Sequence, residues 1–153
     1  MRTIDTEING VAMVGGQQYR QNIRTAIVRK SGYPKPIPLR SFGDGLNRLF
    51  GIILHLIEAK DGLLLIDEFE NGLHHTAQAD VWRVIFKMAK QLDIQVIATT
   101  HSWDAVKTFQ QAANEVPEDG VLIRLTRKGD KIIPTRFTRD ELAIAAEDRI
   151  EVR

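Results

Sequence analysis

Residues 63–71 read Leu-Leu-Leu-Ile-Asp-Glu-Phe-Glu-Asn, and no other stretch constrains the fold as tightly. Four apolar residues after an Asp61-Gly62 break predict a buried strand, which runs straight into two carboxylates, Asp67 and Glu68. A parallel strand buried on both faces tolerates charge only at its tip, and open α/β sheets hold their ligands at the carboxyl tips. Two adjacent carboxylates suit one task there. The first can hold a Mg²⁺ on a nucleotide, and the second can polarise the water that attacks the terminal phosphate.

The rest of the chain supplies a fitting frame. From Leu46 the apolar residues Leu46, Leu49, Phe50, Ile53, Leu54 and Ile57 recur at helical spacing, predicting an amphipathic helix that ends near Asp61-Gly62. After the Leu63–Ile66 strand, the pattern predicts a helix over Ala77–Leu92, a strand over Gln95–Thr99 and a helix over Ser102–Ala113 capped by Ser102. This βαβα order calls for a parallel sheet with right-handed crossovers. On the amino-terminal side, Thr3–Ile8 and Asn22–Arg29 read as strands, with turns at Gly15-Gly16 and Ser31–Pro38. Beyond Pro117, strands are expected over Val121–Thr126 and Lys131–Phe137, then a short helix over Arg139–Ala146 and a strand over Ile150–Val152. The expectation is a single α/β domain over residues 1–153, with a mostly parallel central sheet and flanking strands at both ends.

Composition narrows the function classes. No apolar run reaches the ~18–20 residues that span a bilayer, and no apolar segment of secretory type follows Arg2, so no membrane role and a cytoplasmic location are expected. The absence of cysteine excludes disulfides, Cys-zinc sites and thiol catalysis. Residues 1–40 carry seven Lys/Arg against Asp5 and Glu7. That excess could touch phosphates or be solvated edge-strand charge that deters aggregation, and the second reading is favoured since no aromatic interleaving supports base stacking. His74 and His75 are adjacent and diverge by ~100° on a helix, which is poor geometry for a shared metal. Trp82 and Phe86, at i, i+4 spacing, read as core.

Three clusters carry chemistry, in a fixed order. Ser41-Phe42-Gly43-Asp44-Gly45-Leu46-Asn47-Arg48 precedes the first helix, and a serine with two glycines at a helix start makes either an anion site or an ordinary cap. The Asp67-Glu68 pair is followed by Phe69-Glu70-Asn71-Gly72-Leu73-His74. Ala98-Thr99-Thr100-His101-Ser102 closes the second strand, and His101 lies 34 residues after Asp67 (101 − 67), a gap that fits one crossover helix. Glu68 and His101 would then share one carboxyl edge.

In this order and spacing the clusters resemble the carboxy-terminal half of an ABC-type ATPase. The nearest likeness is to the AAA-family ATP-binding proteins related to the structural-maintenance-of-chromosomes ATPases and the overcoming-lysogenization-defect nucleases. The resemblance covers residues 36–113, and the flanking strands loosely. It implies a three-layer P-loop NTPase fragment in which residues 1–40 lead to the signature, 41–113 carry the signature helix, Walker B strand and switch strand, and 114–153 add strands and a short helix. Ser41, Gly43 and Gly45 would form the signature, touching the γ-phosphate of ATP held by an opposing subunit. Asp67 would be the Walker B carboxylate reaching Mg²⁺ through water, and Glu68 the catalytic base. Glu70, Asn71, Gly72 and Leu73 would lie on the D-loop at a dimer interface, and His101 would be the switch histidine on the γ-phosphate. ATP and Mg²⁺ are the implied cofactors.

One part of the pattern is missing from these 153 residues: no Gly-x-x-x-x-Gly-Lys-Ser/Thr occurs. That loop supplies the backbone N–H cradle and the lysine that neutralise the β- and γ-phosphates. The expectation is therefore weak or no ATP binding by this chain alone, with the loop supplied by a Walker A-containing polypeptide or segment, and with a homodimer partner and DNA or a nuclease subunit as further implied partners. Two other readings remain: a non-catalytic interaction module derived from such an ATPase, and a helicase lobe. The helicase lobe fits poorly with the Ser-Phe-Gly-Asp-Gly turn and with Glu-Asn-Gly-Leu-His behind the carboxylates.

Overall fold

The computed structural model describes residues 7–18, 21–116, 120–138 and 140–142. The Thr3–Ile8 strand for the most part, the Arg139–Ala146 helix beyond its first turn, and the Ile150–Val152 strand lie outside the described residues. The chain divides into two compact units, Met1–His55 and Leu56–Arg153.

In the first unit, β1 (Ile8–Gln18) and β2 (Gln21–Lys30) pair antiparallel with Gln18 opposite Gln21, and β3 (Ile37–Pro38) joins the other edge of β2. Ile8, Val28 and Leu39 are buried. The turn expected at Gly15-Gly16 does not form. Both glycines sit inside the β1 ladder, opposite Arg24 and Ile23, because glycine keeps the N–H and C=O groups that a ladder needs. Ser31–Pro38 is a turn only in part, since its last two residues are β3. A short 3₁₀ turn (Leu39–Phe42) then leads into α1 (Asp44–Glu58).

The buried residues of α1 are Leu46, Leu49, Ile52 and Leu56, while Leu54 and Ile57 are exposed. The buried stripe is thus rotated from the one the sequence suggested. This helix is apolar over most of its circumference, so periodicity alone does not select a face.

The second unit holds the expected βαβα order: β4 (Leu63–Ile66), α2 (His75–Leu92), β5 (Gln95–Ala98) and α3 (Trp103–Asn114). β4 and β5 pair parallel, from Leu63 opposite Gln95 to Ile66 opposite Ala98. Phe69, fully buried, stacks on Trp82 at 3.8 Å between centroids, and the Phe109 ring meets Trp82 edge-on at 5.2 Å. The Trp82 indole N–H donates to the Ala105 carbonyl at 3.2 Å, tying α2 to α3. Trp82 and Phe86 are therefore core, as their spacing suggests; Phe86 packs on Phe109.

Next come β6 (Leu122–Lys128) and β7 (Lys131–Phe137), an antiparallel hairpin whose turn places Gly129 at φ +61°, in the left-handed region glycine favours. Leu122 and Phe137 of this hairpin pack on Val106 and Leu142. Thr138 starts a helical turn at 140–142, its backbone N–H and hydroxyl both donating to Glu141 Oε2, at 2.8 and 2.9 Å.

Parallel pairing among the described residues is confined to β4 and β5, and the other strands form antiparallel ribbons. The fold is α/β, but the expected mostly parallel central sheet is corrected to one parallel pair. A second correction concerns burial. Leu64, Ile66, Val96 and Ala98 are wholly or partly covered, whereas Leu63, Leu65 and Ile97 on the alternate face are 51%, 67% and 51% exposed. The run of four apolar residues reads as a strand covered on both sides, and in this chain one side is bare.

This contrast is measurable by urea unfolding. Phe69→Ala removes the ring stacked on Trp82 and should cost about 3–5 kcal/mol, whereas Leu65→Lys on the bare face should change stability by less than about 0.5 kcal/mol. Comparable losses in the two variants would contradict the assignment of faces.

Candidate functional site

The ladder between β4 and β5 runs past the strands. The Thr99 N–H donates to the Ile66 carbonyl and the Phe69 N–H to the Thr99 carbonyl, both at 2.9 Å. Between these bonds the Thr99 hydroxyl donates to Asp67 Oδ1 at 2.6 Å and accepts from the Glu68 N–H at 2.9 Å. One side chain from β5 thereby fixes both residues of the acidic pair.

Glu68 has φ +46°, in the left-handed region that non-glycine residues seldom occupy, at a cost on the order of 1 kcal/mol or more. The turn of the backbone there lets Phe69 enter the core while Asp67 and Glu68 stay exposed. The Glu68 carboxylate accepts from the Asn71 side-chain amide, and the Asn71 N–H donates to the Glu68 carbonyl at 3.0 Å. Gly72 follows at φ +72°, and Leu73 is buried within the chain. His74 then caps α2, its ring accepting from the Thr76 N–H at 3.5 Å.

The segment after β5 is held as closely. Thr100 Oγ1 donates to Glu70 Oε2 at 2.6 Å, and the His101 N–H donates to Glu70 Oε1 at 2.8 Å. The Ser102 N–H donates to Thr100 Oγ1 at 3.0 Å, and Ser102 Oγ caps α3 by accepting from the Ala105 N–H at 3.4 Å, as its position before the helix suggests. The His101 side chain is exposed. Glu68 and His101 thus follow the carboxyl ends of adjacent parallel strands, on one edge.

Partial burial pushes the Glu70 carboxyl up, but hydrogen bonds from Thr100, its own N–H and the His101 N–H, with the charge of His101, outweigh it and hold the group below its ordinary 4.5.

Ser41, Gly43 and Gly45, the residues expected to form a signature, belong to the first unit. Ser41 is exposed in the 3₁₀ turn, Gly43 closes that turn with its N–H on the Arg40 carbonyl at 3.3 Å, and Gly45 lies in the first turn of α1. Gly43 has φ +88°, ψ 173°, a conformation essentially reserved for glycine, and its carbonyl accepts from the Asn47 amide at 3.1 Å. Ser41 therefore stands before a helix start, as the sequence implies.

Among the described residues no group of three His, Asp, Glu or Cys is placed to hold a metal. Mg²⁺ characteristically uses one or two carboxylates together with substrate phosphates and water, and Asp67, an exposed carboxylate oriented by a hydroxyl, fits that role. Thr99 and Thr100 were not singled out in the sequence, where His101 dominates the motif. The signal was present in the register: with Ala98 opposite Ile66, Thr99 falls opposite Asp67.

The family described as "AAA domain, putative AbiEii toxin, Type IV TA system" matches residues 12–106, well over half of the chain. The chain belongs to this AAA family. It is 30% identical to an uncharacterized protein of Methanocaldococcus jannaschii, MJECL11, over 92 residues, 60% of this chain and 80% of that protein. It is 31% identical to an ATP/GTP phosphatase of Helicobacter pylori over 86 residues, 52% of this chain and 22% of that protein. A solved structure from work on the structural biochemistry of ATP-driven dimerization and DNA-stimulated activation of SMC ATPases aligns with a TM-score of 0.65, covering 99% of this chain and 87% of that one at 10% identity. The AAA-family chain therefore shares the fold of that SMC ATPase structure. No helix among the described residues is long and apolar enough to cross a membrane.

The depressed Glu70 carboxyl predicts a pH dependence. A carboxyl lowered on folding adds stability that is complete above its unfolded value and is lost as pH falls through the folded one. Urea unfolding of the wild type and of Glu70→Gln should therefore differ by a constant amount above the ordinary 4.5 and converge as the solution is acidified below it. A difference that stays flat across that range would contradict the hydrogen bonds to Glu70.

Proposed function

We propose that this AAA-family chain binds and hydrolyses ATP as the signature, Walker B and switch half of an ABC-type ATPase. The observation that carries this reading is the Thr99 hydroxyl holding Asp67 and the Glu68 backbone together at the edge where the His101 segment also ends.

In this reading Asp67 would hold Mg²⁺ through water, and the ion would supply charge neutralisation to the nucleotide phosphates. Glu68 accepts a hydrogen bond from the attacking water and aligns it with the γ-phosphorus, its carboxylate steered by Asn71. The His101 ring donates to a γ-phosphate oxygen. Ser41, Gly43 and the amino end of α1 offer hydroxyl and N–H donors to the γ-phosphate of ATP held by an opposing subunit. Segment 70–73 belongs to the same dimer interface. The phosphate-cradling loop comes from a Walker A-bearing polypeptide or segment outside these residues, and the bare Leu63, Leu65 and Ile97 face is a suitable surface for the element that brings it. The SMC ATPases of the structure that shares the fold undergo ATP-driven dimerisation and DNA-stimulated activation, so a homodimer and a DNA partner rest on that likeness, and a nuclease partner rests on the motif resemblance alone.

A passive-module reading and the ATPase reading separate in one assay. The chain is mixed with the polypeptide encoded immediately upstream, and phosphate release from Mg-ATP is followed. Turnover should appear on mixing and fall by about 100-fold or more in Glu68→Gln, with binding of a fluorescent ATP analogue retained. Turnover unchanged in Glu68→Gln, or absent from every mixture, would contradict the proposal.

A further inference from the structure

Glu70 links the turn after β4 to the segment after β5 through a side-chain bond that ends on the His101 backbone. Its two oxygens are divided between two donors, Thr100 Oγ1 at 2.6 Å and the His101 N–H at 2.8 Å. Thr100 Oγ1 is used twice, since it also accepts from the Ser102 N–H, and Ser102 caps α3. The carboxylate therefore fixes the backbone on both sides of the His101 Cα, while the imidazole itself is exposed. At the other end of the link, the Glu70 carbonyl accepts from the Leu73 N–H at 3.0 Å, closing the turn that contains Asn71 and Gly72. Asn71 in turn holds the Glu68 carboxylate.

We infer that Glu70 is a positioning residue: its carboxylate latches the His101 segment to the turn that orients Glu68, so that the base and the histidine keep a fixed geometry relative to one another. The inference rests on the ATPase reading for its catalytic consequence, but the latch is a property of the chain alone. A charged acceptor suits the position because two donors converge on it, and hydrogen bonds to an ionised group are the stronger kind. The group stays ionised throughout the neutral range, consistent with its lowered carboxyl. It also couples two regions. Segment 70–73, which the proposed function places at a dimer interface, cannot shift without pulling on the backbone of His101.

Two readouts test it. In the full chain alone, amide hydrogen exchange is measured at His101 and Ser102; Glu70→Ala should accelerate it about tenfold or more, with the amides of α2 and α3 unchanged. In the mixture that turns over ATP, Glu70→Ala should lower kcat about tenfold or more with KM for ATP within about twofold, because positioning acts on the transition state. Glu70→Gln, which keeps one acceptor for the His101 N–H and whose amide N–H can donate to Thr100 Oγ1, should recover most of both effects. Unchanged exchange in Glu70→Ala would overturn the latch. Accelerated exchange with wild-type kcat would overturn the positioning role. A loss in Glu70→Gln as deep as in Glu70→Ala, with general loss of amide protection, would show a merely structural residue. Absence of turnover in the wild-type mixture would count against the ATPase reading and leave the exchange result to decide the latch.

Discussion

Everything at the candidate site depends on the parallel pairing of β4 with β5 and on its continuation through Thr99. A parallel pair brings two carboxyl ends to one edge, and the in-register ladder decides which residues meet there. Thr99 then makes four hydrogen bonds to the acidic end of β4: through its N–H, its carbonyl and twice through its hydroxyl. These bonds satisfy backbone groups that would otherwise end unpaired at a strand tip, and they hold Glu68 in a left-handed conformation that the chain would not adopt alone. The strain is offset by the burial of Phe69 against Trp82, one residue further on. Core packing and site geometry are therefore two outcomes of the same turn.

The second layer is a pair of short turns facing each other across the strand ends. Asn71 answers to Glu68, and Glu70 to Thr100 and His101. Polar side chains at an exposed edge ordinarily lose such bonds to water. Here the donors are backbone N–H groups and short hydroxyl and amide side chains, which have little conformational freedom to lose, so the network holds. The exposed groups that remain, the carboxylates of Asp67 and Glu68 and the ring of His101, are the ones suited to a metal-bound triphosphate.

Much of this was legible from residues alone. The boundaries of β4 and β7 follow the sequence expectation residue for residue, and α2, β5 and α3 differ only at their ends. These elements carry strong punctuation: Asp61-Gly62 before β4, Ser102 before α3, and Lys128-Gly129-Asp130 before β7. What failed lacked a local signal. Gly15-Gly16 looks like a turn, but tertiary pairing with β2 keeps it in the strand. The stripe α1 buries was ambiguous because its apolar arc is wider than the stripe that is covered, which leaves Leu54 and Ile57 exposed. The Leu63–Ile66 run correctly signals a strand, but the expectation that both its sides are covered fails, because Leu63 and Leu65 are exposed on one side. Motif order singled out the acidic pair, His101 and Ser41 as candidates; the bonds of Thr99 to the acidic pair required the register.

The central claim is that the acidic end of β4 and the segment after β5 form one face of a metal–nucleotide site. Paramagnetic broadening by Mn²⁺-ATP, read on the amides of this chain in the mixture with the upstream polypeptide, tests it most directly. The account predicts that broadening is strongest at residues 67–71 and 99–102 and collapses in Asp67→Asn. Broadening centred elsewhere, or unaffected by Asp67→Asn, would contradict it.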